Sequence, residues 1–236
     1  MKNIIKIKLN LQKMLSNKFH KNIDINNLTL MNEGEYLNAA VFRYHDEELD
    51  FTIKDFSTTP WIIKNTLGKL FVYREGNALK KLSANPSITK NVIFLSKYTL
   101  AFGFIKGKPL KKIPDKTIPK EFFITLEKNI MAMHKKNIVH LDLRNLGNII
   151  MGDDGFPYLI DFQSYISVRY LPNKLKNILK GADITGVYKC WERKCTEPLD
   201  KERKNYFEEF KKIRKIWIFK GYPLKRLKSK IKSLKK

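Results

Sequence analysis

The chain has 236 residues, 43% of them apolar and 12% aromatic, which is enough for a real core in one large or two small lobes and excludes a disordered polymer. Two cysteines, Cys190 and Cys195, exclude a disulfide framework and a zinc cluster, and no run approaches the roughly 18 apolar residues of a membrane span. The formal net charge is +24, and it is uneven: residues 201–236 carry 15 Lys or Arg against three Glu, the signature of a solvated tail or of one that meets an anionic surface.

Residues 4–15 place Ile4, Ile7, Leu11 and either Met14 or Leu15 at helical spacing, predicting a short amphipathic helix. Lys6, Lys8, Asn10 and Gln12 interrupt this stretch and spoil a signal-peptide core, so the N-terminus reads as mature sequence, while Cys190 and Cys195 read as ordinary reduced thiols of a cytoplasmic protein. From Leu28 the pattern turns to strands, predicted over residues 28–31, 37–43 and 50–56, with the polar run His45-Asp46-Glu47-Glu48 as the turn between the last two. In the third strand, alternation puts Thr52 and Lys54 on one face and Phe51 and Ile53 on the other. A lysine inside an apolar strand needs an anionic partner, because an unpaired ammonium is costly to desolvate. The helix predicted over residues 70–82 offers one: Glu75 lies on the face carrying Phe71, Ala78 and Leu82. The two residues read either as a rim salt bridge serving only the fold or as a buried, functional pair.

A second helix, predicted over 121–136, sets Phe122, Leu126, Ile130 and Met133 on one stripe. His134 near its end reads as a capping or packing residue. Next comes IVHLDLRNLGNIIMGDDGFPYLIDFQS, residues 138–164. Its two apolar runs, 148–151 and 157–160, joined by Gly152-Asp153-Asp154-Gly155, predict a hairpin, since Gly and Asp supply the conformations a tight reversal needs. The hairpin brings Asn148 near Asp161, and Asp142 lies six residues before Asn148. Two oxygen ligands and a carboxylate base are what phosphoryl transfer from a Mg-nucleotide requires. His140 reads as a scaffold residue of the loop, since the adjacent Asp142 already suits the base's task. Asp153 and Asp154 are expected to face solvent.

His140-Leu141-Asp142-Leu143-Arg144 through Asn148, followed by Asp161-Phe162, resembles the catalytic loop and metal-binding motif of the protein-kinase-like fold. The HLDLR wording, with DFQ in place of DFG, is closer to the bacterial lipopolysaccharide kinase (Kdo/WaaP)-like family and the related RIO kinases. The likeness extends to Pro60-Trp61, to Asn65-Thr66-Leu67-Gly68, to Arg74-Glu75 and to the segment Phe104-Ile105-Lys106-Gly107-Lys108-Pro109-Leu110, and so spans about residues 35–165. The resemblance implies an α+β, bilobal fold with a small antiparallel-sheet N-lobe, one key helix and a mainly helical C-lobe. It divides the chain into an N-lobe at 1–103, a C-lobe at 104–205 and a basic amphipathic tail at 206–236.

By the same resemblance Asp142 is the base and Arg144 the cation facing the transferred phosphate. Asn148 and Asp161 hold Mg2+, Lys54 and Glu75 grip ATP beside Thr52, and Phe104 and Ile105 form the hinge at the adenine edge. The connection Asn32-Glu33-Gly34-Glu35 would cover the phosphates with Gly34 as its one glycine. One departure is that Gly147 stands where the metal-binding Asn is usual, with Asn148 one residue further on. Gln163 replaces a mobile glycine, removing a residue tolerant of positive φ, and suggests less in-out switching. Asp183 reads either as an acid bracing the catalytic loop or as an ordinary helix N-terminal Asp.

The tail interleaves Phe207, Phe210, Ile213, Trp217, Leu224, Leu227, Ile231 and Leu234 with lysines, predicting two basic amphipathic helices broken at Gly221-Tyr222-Pro223. The first is expected to pack on the large lobe. The second either lies on anionic lipid at the inner face of the cytoplasmic membrane or ends as a solvated tail. The leading functional expectation is an ATP- and Mg-dependent kinase acting on a glycan or protein hydroxyl. A non-catalytic kinase-like scaffold is the alternative, favoured by the glycine-poor loop and the displaced Asn148 but opposed by Lys54, Glu75, Asp142 and Asp161. No zinc spacing, RRM-like aromatic motif or helix-turn-helix signal supports specific nucleic-acid recognition.

Overall fold

The computed structural model describes residues 4–34 and 38–216. Helix α1, Ile4–Phe19, runs a full turn beyond the predicted residues. It buries Ile7, Leu11 and Leu15, so Leu15 rather than Met14 completes the stripe. Each such side chain contributes about 1.5–3 kcal/mol on burial, which fastens α1 to the sheet that follows. Strands β1 (Leu28–Asn32), β2 (Ala40–His45) and β3 (Asp50–Asp55) form an antiparallel meander. The predicted start of β2 at Leu37 lies outside the described residues; the described Asn38 and Ala39 precede the strand, which begins at Ala40 and ends later than predicted, pairing His45 with Asp50. Asp46 holds the turn, accepting from the backbone amides of Glu48 and Leu49 at 3.0 and 2.7 Å.

A helical lead-in, α2 (Trp61–Ile63), continues through a wide π turn, Lys64–Gly68, into α3, Lys69–Lys81. Strands β4 (Ile93–Ser96) and β5 (Thr99–Gly103) complete a five-stranded sheet of order β1-β2-β3-β5-β4. Alternation gives the sheet two uses. Phe42, Tyr44, Phe51, Ile53 and Ala101 face α1, while Leu100 and Phe102 join Phe71, Val72, Ala78 and Leu79 of α3. Thr52 and Lys54 stand opposite Phe102 and Leu100 in the β3–β5 register, which puts them on the α3 side.

Beyond β5 the chain enters a second, mainly helical lobe. Strand β6 (Gly107–Pro109) joins β8 (Ile149–Gly152) and β9 (Pro157–Leu159) in a small sheet. The predicted hairpin is therefore present, with Ile149 opposite Leu159. Asp154 is not idle at its tip, since it accepts from the amide of Phe156 at 2.9 Å and the hydroxyl of Tyr158 at 2.8 Å. Helix α4 spans Lys120–Lys135; β7 (Ile138–Val139) pairs with β10 (Ile166–Ser167); α5 spans Asn173–Lys194 and α6 Lys201–Ile216.

Trp191 of α5 is fully buried, stacks on Phe123 of α4 at 5.4 Å, and donates its indole N–H to the carbonyl of Glu197. Arg203 ties α6 to Glu127 of α4 at 2.7 Å, and the hydroxyl of Tyr188 meets the same carboxylate. Phe207 and Phe210 are buried, so α6 packs on the lobe as expected, although it starts at Lys201 rather than Tyr206. The second predicted tail helix lies outside the described residues. Among those described, no helix is long and apolar enough to cross a membrane.

Candidate active site

The two lobes meet at Lys54. Its Nζ lies 2.7 Å from Oε1 of Glu75 on α3 and 3.2 Å from Oδ1 of Asp161, just past β9. The Glu75 side chain is 2% exposed and that of Lys54 11%, whereas Asp161 keeps 40%, so the carboxylate nearest solvent is the one able to meet a ligand. Burial works against the Lys54 charge, but Asp161 and Glu75 more than reverse it and hold the ammonium pKa above its ordinary value. Burial pushes the Glu75 carboxyl up, with Lys54 opposing. The reading of Lys54 and Glu75 as a rim bridge is thereby removed, because the pair is interior.

Asp161 adopts the left-handed conformation, φ 67° and ψ 63°, which costs a non-glycine residue about 1–3 kcal/mol and persists only where neighbours impose it. Those neighbours are visible. Lys54 holds the carboxylate, the amide of Phe162 donates to Glu75 at 3.3 Å, and the buried Phe162 ring lies 4.6 Å from that of His140. Next, the Arg74 guanidinium reaches from α3 to the carbonyl of Tyr165 and lies 5.2 Å from its ring. β10 then pairs with β7. The segment after Asp161-Phe162 is thus fixed to both lobes.

In the loop between β7 and β8, both N–H bonds of the Asn148 amide go to Asp142, one to its backbone oxygen at 3.1 Å and one to its carboxylate at 3.0 Å. The remaining Oδ1 of Asn148 accepts from Asn145 Nδ2 at 3.2 Å. Asn145 also absorbs the extra residue: its Oδ1 accepts from Gly147 N, and its backbone oxygen from Asn148 N at 2.9 Å. The longer interval from Asp142 to Asn148 is therefore taken up in a local turn, and the two side chains still meet.

Helix α5 supports this loop through Asp183, Gly186 and Cys190, spaced to share one helical stripe. Asp183 is fully buried. It accepts from the amides of His140 and Leu141 at 2.7 Å each and lies 3.1 Å from His134 Nε2. Of the two readings open for Asp183, the loop brace is what the fold contains. His134 is more than a packing residue, since it is the brace's third partner. Gly186 lets the loop come close, for a Cβ there would stand 3.1 Å from Arg144 N and 3.2 Å from Arg144 Cγ. The buried Cys190 thiol, its pKa pushed up to about 12 by burial, stays protonated and donates to Leu143 O. His140 Nδ1 faces the amide of Asp142, so the ring's proton sits on Nε2 and goes to Ile160 O at 3.0 Å.

The expected site residues fall into five places. Lys54, Glu75 and Asp161 converge, with Thr52 two residues away on the same strand face. Asp142 and Asn148 form a second, bonded pair. Arg144 has its stem against α5. Phe104 and Ile105 follow β5, where the Phe104 amide donates to Asp50 O and Arg43 lies 4.0 Å over its ring.

Gly34 sits at φ +66° beyond β1, and a Cβ there would meet Ala39 O at 2.2 Å. Gly34→Ala is therefore expected to cost about 1–3 kcal/mol, read in a thermal melt as a drop of roughly 2–4 °C per kcal/mol. An unchanged melt would show that this loop relaxes freely.

A two-lobed molecule with an interior Lys–Glu pair, a carboxylate held against that lysine and an Asp–Asn loop below is protein-kinase-like. The RIO domain matches residues 35–204, nearly three quarters of the chain, and the chain belongs to that family. The motif wording points toward lipopolysaccharide kinases; the domain match is to RIO. Two solved structures of the Rio2 kinase from Chaetomium thermophilum share the fold. One, a complex with ADP/Mg2+-phosphoaspartate, has TM-score 0.56 and 16% identity over 83% of this chain and 64% of that one. The other has TM-score 0.55 and 15% identity over 83% and 66%. The chain thus spans slightly under two thirds of the Rio2 chains it resembles. No curated protein matches the sequence.

Proposed function

We propose that the protein is an ATP- and Mg2+-dependent phosphotransferase moving the γ-phosphate to a hydroxyl. The observation that carries this is the bridge from Lys54 to both Glu75 and Asp161, which joins the two lobes at one ammonium. Its Nζ, kept cationic and aimed by Glu75, binds the α- and β-phosphates. Asp142 accepts the proton of the attacking hydroxyl as the new O–P bond forms and the bond from Pγ to the ADP oxygen breaks, leaving ADP and a phosphoester. Arg144 is assigned to the transferred phosphate, Gly34 to the loop over the nucleotide, and Phe104 with Ile105 to the adenine edge.

Mg2+ fits the donor set. Asn148 Oδ1 and the Asp161 carboxylate are hard oxygens, and two protein ligands suit an ion that keeps waters and phosphate oxygens. Among the described residues no cluster of three or more His, Cys, Asp or Glu competes as a metal centre. When bound, the ion neutralises charge on the phosphate oxygens. We assign nucleotide binding to residues 1–103 with the loop residues of 104–205. The acceptor is a sugar hydroxyl of a lipid-linked glycan or a protein Ser or Thr, and the basic segment 222–236 is assigned to an anionic membrane surface on the cytoplasmic side.

The test is incubation with γ-labelled ATP. Label released or transferred in Mg2+ and absent in EDTA is expected, and no turnover with intact nucleotide binding would instead make the protein a kinase-like scaffold. Because the Chaetomium Rio2 complex contains phosphoaspartate, an aspartate of this chain is a second candidate acceptor. Label on the protein that hydroxylamine removes would mark an acyl phosphate and set the hydroxyl acceptor aside.

A further inference from the structure

From Phe56 to Pro114 the sequence holds eleven Lys or Arg and a single acid, Glu75, and that acid is turned inward onto Lys54. The outer side of α2 and of the first turns of α3 exposes four large apolar side chains. Trp61 is 77% exposed, Ile62 65%, Leu70 44% and Tyr73 66%. Leu70 and Tyr73, three residues apart, lie on the side of α3 away from the buried Phe71, Glu75 and Ala78, and Trp61 and Ile62 precede them on α2. Beside them Lys64, Lys69 and Lys97 gather around one ring, with Nζ atoms 4.7, 5.8 and 5.2 Å from the centroid of Tyr98. Among the described residues none of the three meets a carboxylate. Arg74, the one arginine here, is turned away to Tyr165.

We infer that this face is a docking surface for an anionic lipid bilayer, with Trp61 and Ile62 entering the interface and the three lysines meeting headgroup phosphates. Aliphatic and indole side chains leave water favourably at the headgroup boundary, and a surrounding rim of lysines with no acid among them adds attraction to a negative leaflet. A nucleic-acid surface would call instead for arginine forks and stacking rings free of aliphatic neighbours. The inference stands apart from phosphotransfer and from the C-terminal tail, because it concerns α2 and α3 alone.

The test uses the full chain with vesicles of phosphatidylcholine and phosphatidylglycerol, and of phosphatidylcholine alone. Binding to the anionic vesicles is expected, and W61S/I62S and K64E/K69E are each expected to weaken it about tenfold or more. Their melts should be unchanged, since the altered side chains are largely outside the core. To separate this face from the tail, the W217F chain leaves Trp61 as the accessible indole beside the buried Trp191. Anionic vesicles with brominated acyl chains should quench its fluorescence, and W61F/W217F should lose that quenching. Partition of W61S/I62S equal to the parent's, Trp61 unquenched in vesicle-bound protein, or no vesicle binding at all would each overturn the inference. So would assembly of the parent chain into a dimer that W61S/I62S abolishes, or tighter binding to RNA than to vesicles.

Discussion

Asp142→Asn is expected to lower phosphoryl-transfer turnover by about 10²–10⁴-fold, the span typical of removing a positioned general base, while Mg-ADP binding stays within a few fold of the parent's. The substitution is close to isosteric, and the backbone oxygen of residue 142 keeps its bond from Asn148. Nothing that Lys54 touches is altered, for its partners are Glu75 and Asp161. Asp161→Ala is the contrasting case. It removes a candidate metal ligand and the second anion beside the Lys54 ammonium, so Mg2+-dependent nucleotide affinity should fall together with turnover. Calorimetric titration of Mg-ADP beside a turnover assay separates the two effects, and undiminished turnover in Asp142→Asn would strip that residue of its assigned role.

Asp183→Ala is expected to be the most damaging single change away from the substrates. The carboxylate is fully buried and receives two backbone N–H bonds and a histidine contact. Alanine would leave the amides of His140 and Leu141 buried without acceptors, each costing about 1–3 kcal/mol. A total near 3–5 kcal/mol corresponds to a fall in Tm of about 6–20 °C. Hydrogen exchange at these two amides should rise with it, and a loss below about 1 kcal/mol would mean that the loop is held by its own turn and not by α5. Asp183→Asn keeps one acceptor oxygen and should fall between.

Wherever the signal is periodic and local, the chain could be read directly. The alternation of residues 51–54 placed Lys54 on the α3 side, the spacing of Phe71, Glu75 and Ala78 turned the acid inward, and the Gly- and Asp-rich connection predicted the β8–β9 hairpin. The start of β2 is predicted too early because the apolar Ala39 continues the pattern, whereas the ladder begins at Ala40. Other features depend on partners far apart in the chain. Asp183 and His140 are 43 residues apart, and Arg74 and Tyr165 are 91 apart. The sequence left Asp183 open between loop brace and ordinary helix acid, and the choice is made only once the loop and α4 are packed against α5. The role of Asn145 was hidden for a different reason: an Asx turn carries no more signal than any Asn before a glycine. Family placement followed the same division, since a few motif words suit several kinases while the RIO match draws on residues 35–204 together.

Arg74 and Glu75 are neighbours on α3, so their side chains leave the helix about 100° apart. Glu75 reaches the strand lysine and the amide of Phe162; Arg74 clasps the chain three residues further on, at Tyr165. A roll of α3 about its axis would therefore move both contacts together, coupling the cleft lysine to the segment at Tyr165 through one helix.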